Sequence, residues 1–256
     1  MSTSEFVRYS VAGGVATIEL ARADKKNALT IEMYHAIAAG LRSAGADPEV
    51  RAIVVQGQPG IFCAGNDLTD FLERPLAGRS GTLSPFMLAF FECEKPIVAA
   101  VTGPAGGVGV PMLLHCDLVY LADRARLSIP FVALGLVPEF GSSLLLPRLL
   151  GPARVAEKLY LGEPIEPAEA VACGIATAVV PADEVVARAQ AAAQRITRLP
   201  PAAVRATKHL LRAPDRERLV AVATTETQAL AERLGSAEAR EALAAFLEKR
   251  PPKFSA

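Results

Sequence analysis

The chain has 256 residues, 51% of them hydrophobic, and its 27 Lys and Arg balance 27 Asp and Glu. That length buries a sizeable core in one large domain, or in a domain with an appendage. The neutral balance lends no support to a nucleic-acid partner, and no apolar stretch is long enough to span a bilayer.

Cys63, Cys93, Cys116 and Cys173 lie far apart with no C-x-x-C pair, which argues against a zinc site or a disulfide framework. The start lacks a basic segment followed by an apolar one, so no signal peptide is evident, and a soluble cytoplasmic protein is expected.

Residues 5–20 alternate and turn at Gly13-Gly14, predicting a hairpin of 6–9 against 15–20. After the polar loop 22–27, Thr30 is placed to cap a helix to about Ala44, with Met33, Ile37 and Leu41 on one face. Asp47-Pro48 breaks the chain, and 52–55 is a short apolar strand. Residues 61–68 (IFCAGNDL) read as a second strand-to-loop transition, and 74–83 as a mobile loop and lid candidate. A helix at 85–94, a strand at 97–101, a helix at 110–115 and a strand at 118–121 follow. Repeated strand–helix alternation argues for a parallel sheet with crossover helices. Beyond Pro147 the chain reads as helices at 153–161, 167–173, 182–198, 201–212, 215–234 and 236–249, with one strand at 176–180.

The organising stretch is 98–147. An apolar strand enters Gly103-Pro104-Ala105-Gly106-Gly107-Val108-Gly109, and Pro111 suits the first turn of the helix that leaves it. Glycines this dense let backbone approach a ligand or another chain segment closely. The spacing also spells a dinucleotide loop of short-chain dehydrogenases, but about a hundred residues precede it. None of Tyr9, Tyr34, Tyr120 and Tyr160 is followed four residues on by Lys. No G-x-S-x-G elbow supports a serine hydrolase. A plain tight turn remains open. So does a pair of loops, 61–67 and 102–109, whose free N–H groups converge as an oxyanion hole. Glu139, a lone acid in Val-Pro-Glu-Phe-Gly-Ser-Ser, would complete enolate chemistry.

The sequence resembles the crotonase (enoyl-CoA hydratase/isomerase) superfamily over almost its whole length. The resemblance rests on FCAGNDLTDF, KPIVAAVTGPAGGVGVPMLLHCDLVYLADRARLSIPF, LGLVPEFGSSLLLPRLLGPARVAEKLYLGEPIEPAEAVACGIATAVVP and EALAAFLEKRPPKF. It implies the crotonase, ClpP-like α/β fold, with repeated ββα units forming a spiral core over 1–195 and a helical trimerisation region over 196–256. It also implies that the N–H groups of Asn66 and Val108 hold a thioester oxygen; on sequence alone, Asn66 also fits a residue tolerating a tight turn. As the role uses the main chain, changing the side chains at 66 and 108 is not expected to destroy it.

In hydratases of the family two acids fall at positions matching Pro111 and Phe131, neither of which can move a proton. Between Lys95 and Leu150 the acids are Asp117, read as a cap or turn residue, Asp123, read as a surface residue, and Glu139. Glu139 matches the single catalytic glutamate of Δ3,Δ2-enoyl-CoA isomerases of the peroxisomal type, and Asn66–Thr69 and Lys25–Ala28 resemble that branch too. Taken without the resemblance, Glu139 could equally be a carboxylate at the N-terminus of the helix begun by Ser142-Ser143.

The resemblance makes Lys25 and Lys26 candidates for the CoA phosphates, with a solvated basic pair as the alternative. It adds Ala28, Ala64, Gly65, Asp67, Leu68 and Gly107 to the thioester-binding set, and has Phe246 and Lys249 reach CoA across a subunit boundary. A homotrimer or dimer of trimers is implied, with no metal and no cofactor besides the CoA carried by the substrate. His35, His115 and His209 receive no role. A hydratase or other acyl-CoA lyase, and a non-catalytic CoA- or RNA-binding scaffold, stay open as alternatives.

Overall fold

The computed structural model describes residues 4–73 and 82–254, without the side chains of 71–73. Most of the loop expected at 74–83 therefore lies outside the described residues. In chain order the elements are β1 (Val7–Ala12), β2 (Val15–Leu20), α1 (Ile31–Ala46), β3 (Ala52–Gln56), α2 (Leu68–Glu73), α3 (Pro85–Glu92) and β4 (Ile97–Val101). Next come β5 (Ala105–Gly106), α4 (Gly109–Leu113), β6 (Leu118–Ala122), β7 (Leu127–Ser128), α5 (Ser142–Leu150), α6 (Pro152–Ala156), α7 (Pro167–Ala172) and β8 (Ala178–Val180). The chain closes with α8 (Val185–Thr197), α9 (Pro201–Arg212), α10 (Arg216–Leu234) and α11 (Ala237–Glu248).

β1 and β2 form the expected antiparallel hairpin, with Val7 opposite Leu20. β3, β4, β6 and β8 extend it in parallel, giving a six-stranded sheet ordered β1-β2-β3-β4-β6-β8. A second, two-stranded sheet pairs β5 with β7. β4 is buried at every residue, as an Ile-Val-Ala-Ala-Val strand covered on both faces must be. α8 packs on β3, β4 and β6, while α1 lies against α3. The Thr30 hydroxyl accepts the Met33 N–H at 3.3 Å and starts α1 where its capping chemistry predicts. Among the described residues no helix is long and apolar enough to cross a membrane.

Two local expectations are corrected. The stretch 61–67 is not a strand. Its pairing is confined to isolated bridges, Ile61 with Gln58, Cys63 with Ala105 and Asn66 with Leu29, because it spends its hydrogen bonds on separate loops. The helix expected at 153–161 turns into a π segment at Glu157–Leu161, whose wider turn the apolar periodicity does not signal.

β3 and β4 are adjacent and parallel, so the loops leaving their C-terminal ends emerge on the same edge. That edge carries the candidate site.

Candidate active site

The loop after β3 and the glycine loop after β4 are laced together by backbone. Gly106 N–H donates to Cys63 O at 2.8 Å, and Phe62 N–H donates to Pro104 O at 3.2 Å. Gly65 (φ +99°) and Gly107 (φ +50°) have left-handed backbone and face each other. A Cβ on Gly65 would stand 3.2 Å from Gly106 O. With that approach secured, the next residues, Asn66 and Val108, present N–H groups that donate to no acceptor among the described residues. Val108 buries its side chain and caps the start of α4.

The segment 22–29 is fastened to the same loop. Asn27, fully buried, accepts Arg22 N–H on Oδ1 at 2.7 Å and donates from Nδ2 to Phe62 O at 3.0 Å. Ala64 N–H donates to Lys26 O, Leu29 N–H to Gly65 O and Asp67 N–H to Leu29 O. Arg22 donates to the Asp67 carboxylate at 2.6 Å. Burial pushes that carboxyl up, but the bonds from Arg22 and from Asp70 and Thr69 N–H outweigh it and hold it below the usual aspartate range.

A cleft of about 590 Å³ opens over these loops. Lys25, Ala28, Ala64, Gly65, Asn66, Asp67, Leu68, Gly107, Glu139 and Phe246 all line it. The side chains of Val108, Lys26 and Lys249 do not. Lys26 is exposed with left-handed backbone (φ 52°) beyond the rim, and Lys249 caps the end of α11 (φ 55°). Arg22, Phe131, Leu136 and Leu230 join the lining; Leu230 belongs to α10, a hundred residues downstream of the loops, and no motif announces it.

Glu139 is 5% exposed at the cleft wall. Burial, reinforced by the like charge of Glu226, raises its carboxyl from 4.5 to about 7, against a hydrogen-bonding influence from Asn66. Of the three acids on the cleft, Asp67 is bound by Arg22, and Asp70 accepts Ile31 N–H at 2.8 Å. Pro111 is buried in α4, and Phe131, also buried, offers only its ring to the cleft. Asp123 lies on the surface as expected, whereas Asp117 is a long-range anchor rather than a cap or turn residue. Asp117 binds Ile97 N–H, Lys208 and Arg212.

The helix-terminus alternative for Glu139 is taken by another residue. Glu226 of α10 accepts Gly141 N–H at 2.5 Å and Ser143 N–H at 2.8 Å, the donors at the start of α5. Glu139 meets that helix only through its carbonyl, which accepts Ser142 N–H at 3.1 Å. Phe140, beside it, is left-handed (φ 60°), and its carbonyl accepts from His115 Nε2 at 2.8 Å. His115 therefore carries its proton on Nε2. Burial, with the nearby Arg212 and Lys208, lowers its pKa to about 3 despite that bond, keeping the ring neutral.

The Asn66 side chain is also engaged. Tyr34 of α1 donates its hydroxyl to Asn66 Oδ1 at 2.5 Å. The Tyr34 ring packs edge-on against Phe86, 4.6 Å between centroids. Burial, then the charge of Glu139, raises the Tyr34 pKa well above 10.

Two loops pinned together at Gly65 and Gly107, each followed by a free N–H, and a buried carboxylate on the adjoining cleft, carried by this sheet-and-helix scaffold, define a crotonase-fold protein. The enoyl-CoA hydratase/isomerase family model matches residues 10–256, and the chain belongs to that family. It is 35% identical over 244 residues to human enoyl-CoA delta isomerase 2, covering 93% of this chain and 62% of that protein's length. It is also 35% identical to a probable enoyl-CoA hydratase of Rhodobacter capsulatus, over 97% of both chains. The crystal structure of an enoyl-CoA hydratase/isomerase from Pseudoalteromonas atlantica T6c superposes with a TM-score of 0.91, at 40% identity, over 98% of this chain and 100% of that one.

Proposed function

We propose that this protein is an enoyl-CoA isomerase that moves the double bond of a 3-enoyl-CoA into conjugation with the thioester. The observation that carries the reading is Glu139: one buried acid with a pKa near neutrality, on the cleft that Asn66 lines and beside the glycine loop whose Val108 N–H is also free. A carboxylate so tuned is a better base toward a carbon acid than one at 4.5, and still returns its proton readily.

Glu139 takes the C2 proton. The C–H electron pair forms C1=C2, and the carbonyl π pair moves onto oxygen, where Asn66 and Val108 N–H hold it. The resulting dienolate collapses by re-forming the carbonyl, C1=C2 becomes C2=C3, and the former C3=C4 pair takes the proton from Glu139 at C4. Nothing is consumed, so the cycle needs no cofactor beyond the CoA of the substrate. Lys25, exposed at the cleft mouth, is suited to the CoA phosphates. Leu210 and Leu211, 71% and 79% exposed on α9, support burial of the C-terminal helices in a trimer or a dimer of trimers.

The hydratase named among the relatives is the second reading. Hydration asks for a group that activates water beside the one that handles the carbon proton, and Pro111 and Phe131 supply none. Purified protein offered a 3-enoyl-CoA should produce the absorbance of a conjugated thioester. Offered a 2-enoyl-CoA, it should hydrate it at least about a thousandfold more slowly. The opposite ranking would overturn the isomerase in favour of the hydratase.

A further inference from the structure

Glu226 is 6% exposed on α10, 85 residues beyond the Gly141 N–H that it accepts. Among the described residues no Lys, Arg or His forms an ion pair with it. Its charge is met by the Gly141 and Ser143 N–H groups at the start of α5. Those donors belong to the turn that presents Glu139, where Phe140 and Gly141 both adopt left-handed backbone. A Cβ on Gly141 would lie 2.3 Å from Leu219 Cδ1, another α10 atom, so the turn is pressed onto this helix. α10 thus holds the turn from one side while His115 holds the Phe140 carbonyl from the other.

We infer that Glu226 is a positioning residue, a buried carboxylate that anchors the Glu139 turn and favours the Glu139 proton-transfer step by like-charge repulsion. The inference rests on the enolate reading of the cleft. Glu139 lies in the turn whose Gly141 N–H Glu226 accepts, and among the described residues only Glu226 has backbone donors on its carboxylate. When Glu139 takes a proton, negative charge leaves the neighbourhood of Glu226 for the thioester oxygen between Asn66 and Val108. Repulsion therefore falls along the reaction coordinate. The other polar groups facing Glu139 are the Asn66 amide from the loop, the Tyr34 hydroxyl from α1 and the Cys63 thiol. His115 from the turn after α4 is neutral, and Lys208 and Arg212 are tied to Asp117.

Two readouts test this on the full chain. In Glu226→Gln the acid limb of kcat/KM should move about one unit to lower pH, since the like charge that raises Glu139 is gone. kcat should fall about tenfold, with KM within twofold. Glu226→Asp keeps the charge but shortens the anchor, so its limb should stay in place while kcat falls. The same comparison is made without turnover by following the Glu139 carboxyl carbon by NMR in the labelled proteins. A lower titration in Glu226→Gln than in wild type supports the inference, even if the protein proves inactive on 3-enoyl-CoA, which would overturn the proposed function alone. Equal titration in the two proteins overturns the role of Glu226. So does a limb that moves equally in Glu226→Asp.

Discussion

Gly65 and Gly107 meet backbone to backbone: a Cβ on Gly107 would stand 3.2 Å from Gly65 Cα. Each residue is followed by a free N–H, so the contact fixes the spacing of the two donors. Gly107→Ala adds a methyl at φ +50°, where L side chains are strained, and pushes the loops apart. The global fold rests on the sheet and should survive. Steady-state kinetics should show kcat reduced by about 10²–10³, the usual cost of a lost oxyanion donor. Unaltered kcat would mean that the donors are not set by this contact.

Tyr34 offers a milder test of the same corner. Tyr34→Phe keeps the edge-on packing with Phe86 but removes the bond to Asn66 Oδ1. The freed amide loses its fixed orientation beside Glu139, while the Asn66 main-chain N–H stays in place. kcat should drop about tenfold, with thioester affinity within twofold. Full activity would leave the Asn66 side chain without a part in the reaction.

Much of the framework is legible in the residues. Thr30 followed by Met33, Ile37 and Leu41 announces α1 and its cap, and the unbroken apolar run 97–101 announces a strand buried on both faces. Less legible is whatever depends on distant partners. Residues 61–67 read as a strand running into a loop, yet their bonds go to Lys26, Leu29 and Pro104 on separate loops. Glu226 sits in Thr-Glu-Thr-Gln, a polar run that reads as a solvated helix face. Its burial follows from α5 and the Glu139 turn docking there, a contact no local spacing encodes. The positive φ of Phe140 is equally silent, since the bonds that hold the turn come from distant residues, His115 to its carbonyl and Glu226 to the following N–H groups.

His115 gives the fold an acid sensitivity. Its pKa is pushed down to about 3 in the folded chain, against 6.5 when free. Between those values the unfolded chain binds the extra proton, so stability is full above about pH 6.5 and is lost as pH falls toward 3. Glu139 acts in the opposite sense: raised from 4.5 to about 7, it favours folding at low pH and opposes it as pH rises through that window. Urea unfolding of wild type and His115→Gln at pH 7.5 and 5 separates the two, because Glu139 is common to both. The variant should lose less stability between these pH values. Equal losses would show that His115 charges without unfolding.

The central claim is that one carboxylate carries the proton, and Glu139→Gln tests it most directly. The amide matches the side chain in size and leaves the Asn66 and Val108 N–H groups untouched. The account predicts that conversion of a 3-enoyl-CoA falls at least about 10⁴-fold while the thioester still binds with nearly wild-type affinity. Turnover within tenfold of wild type would contradict it and send the proton to another group.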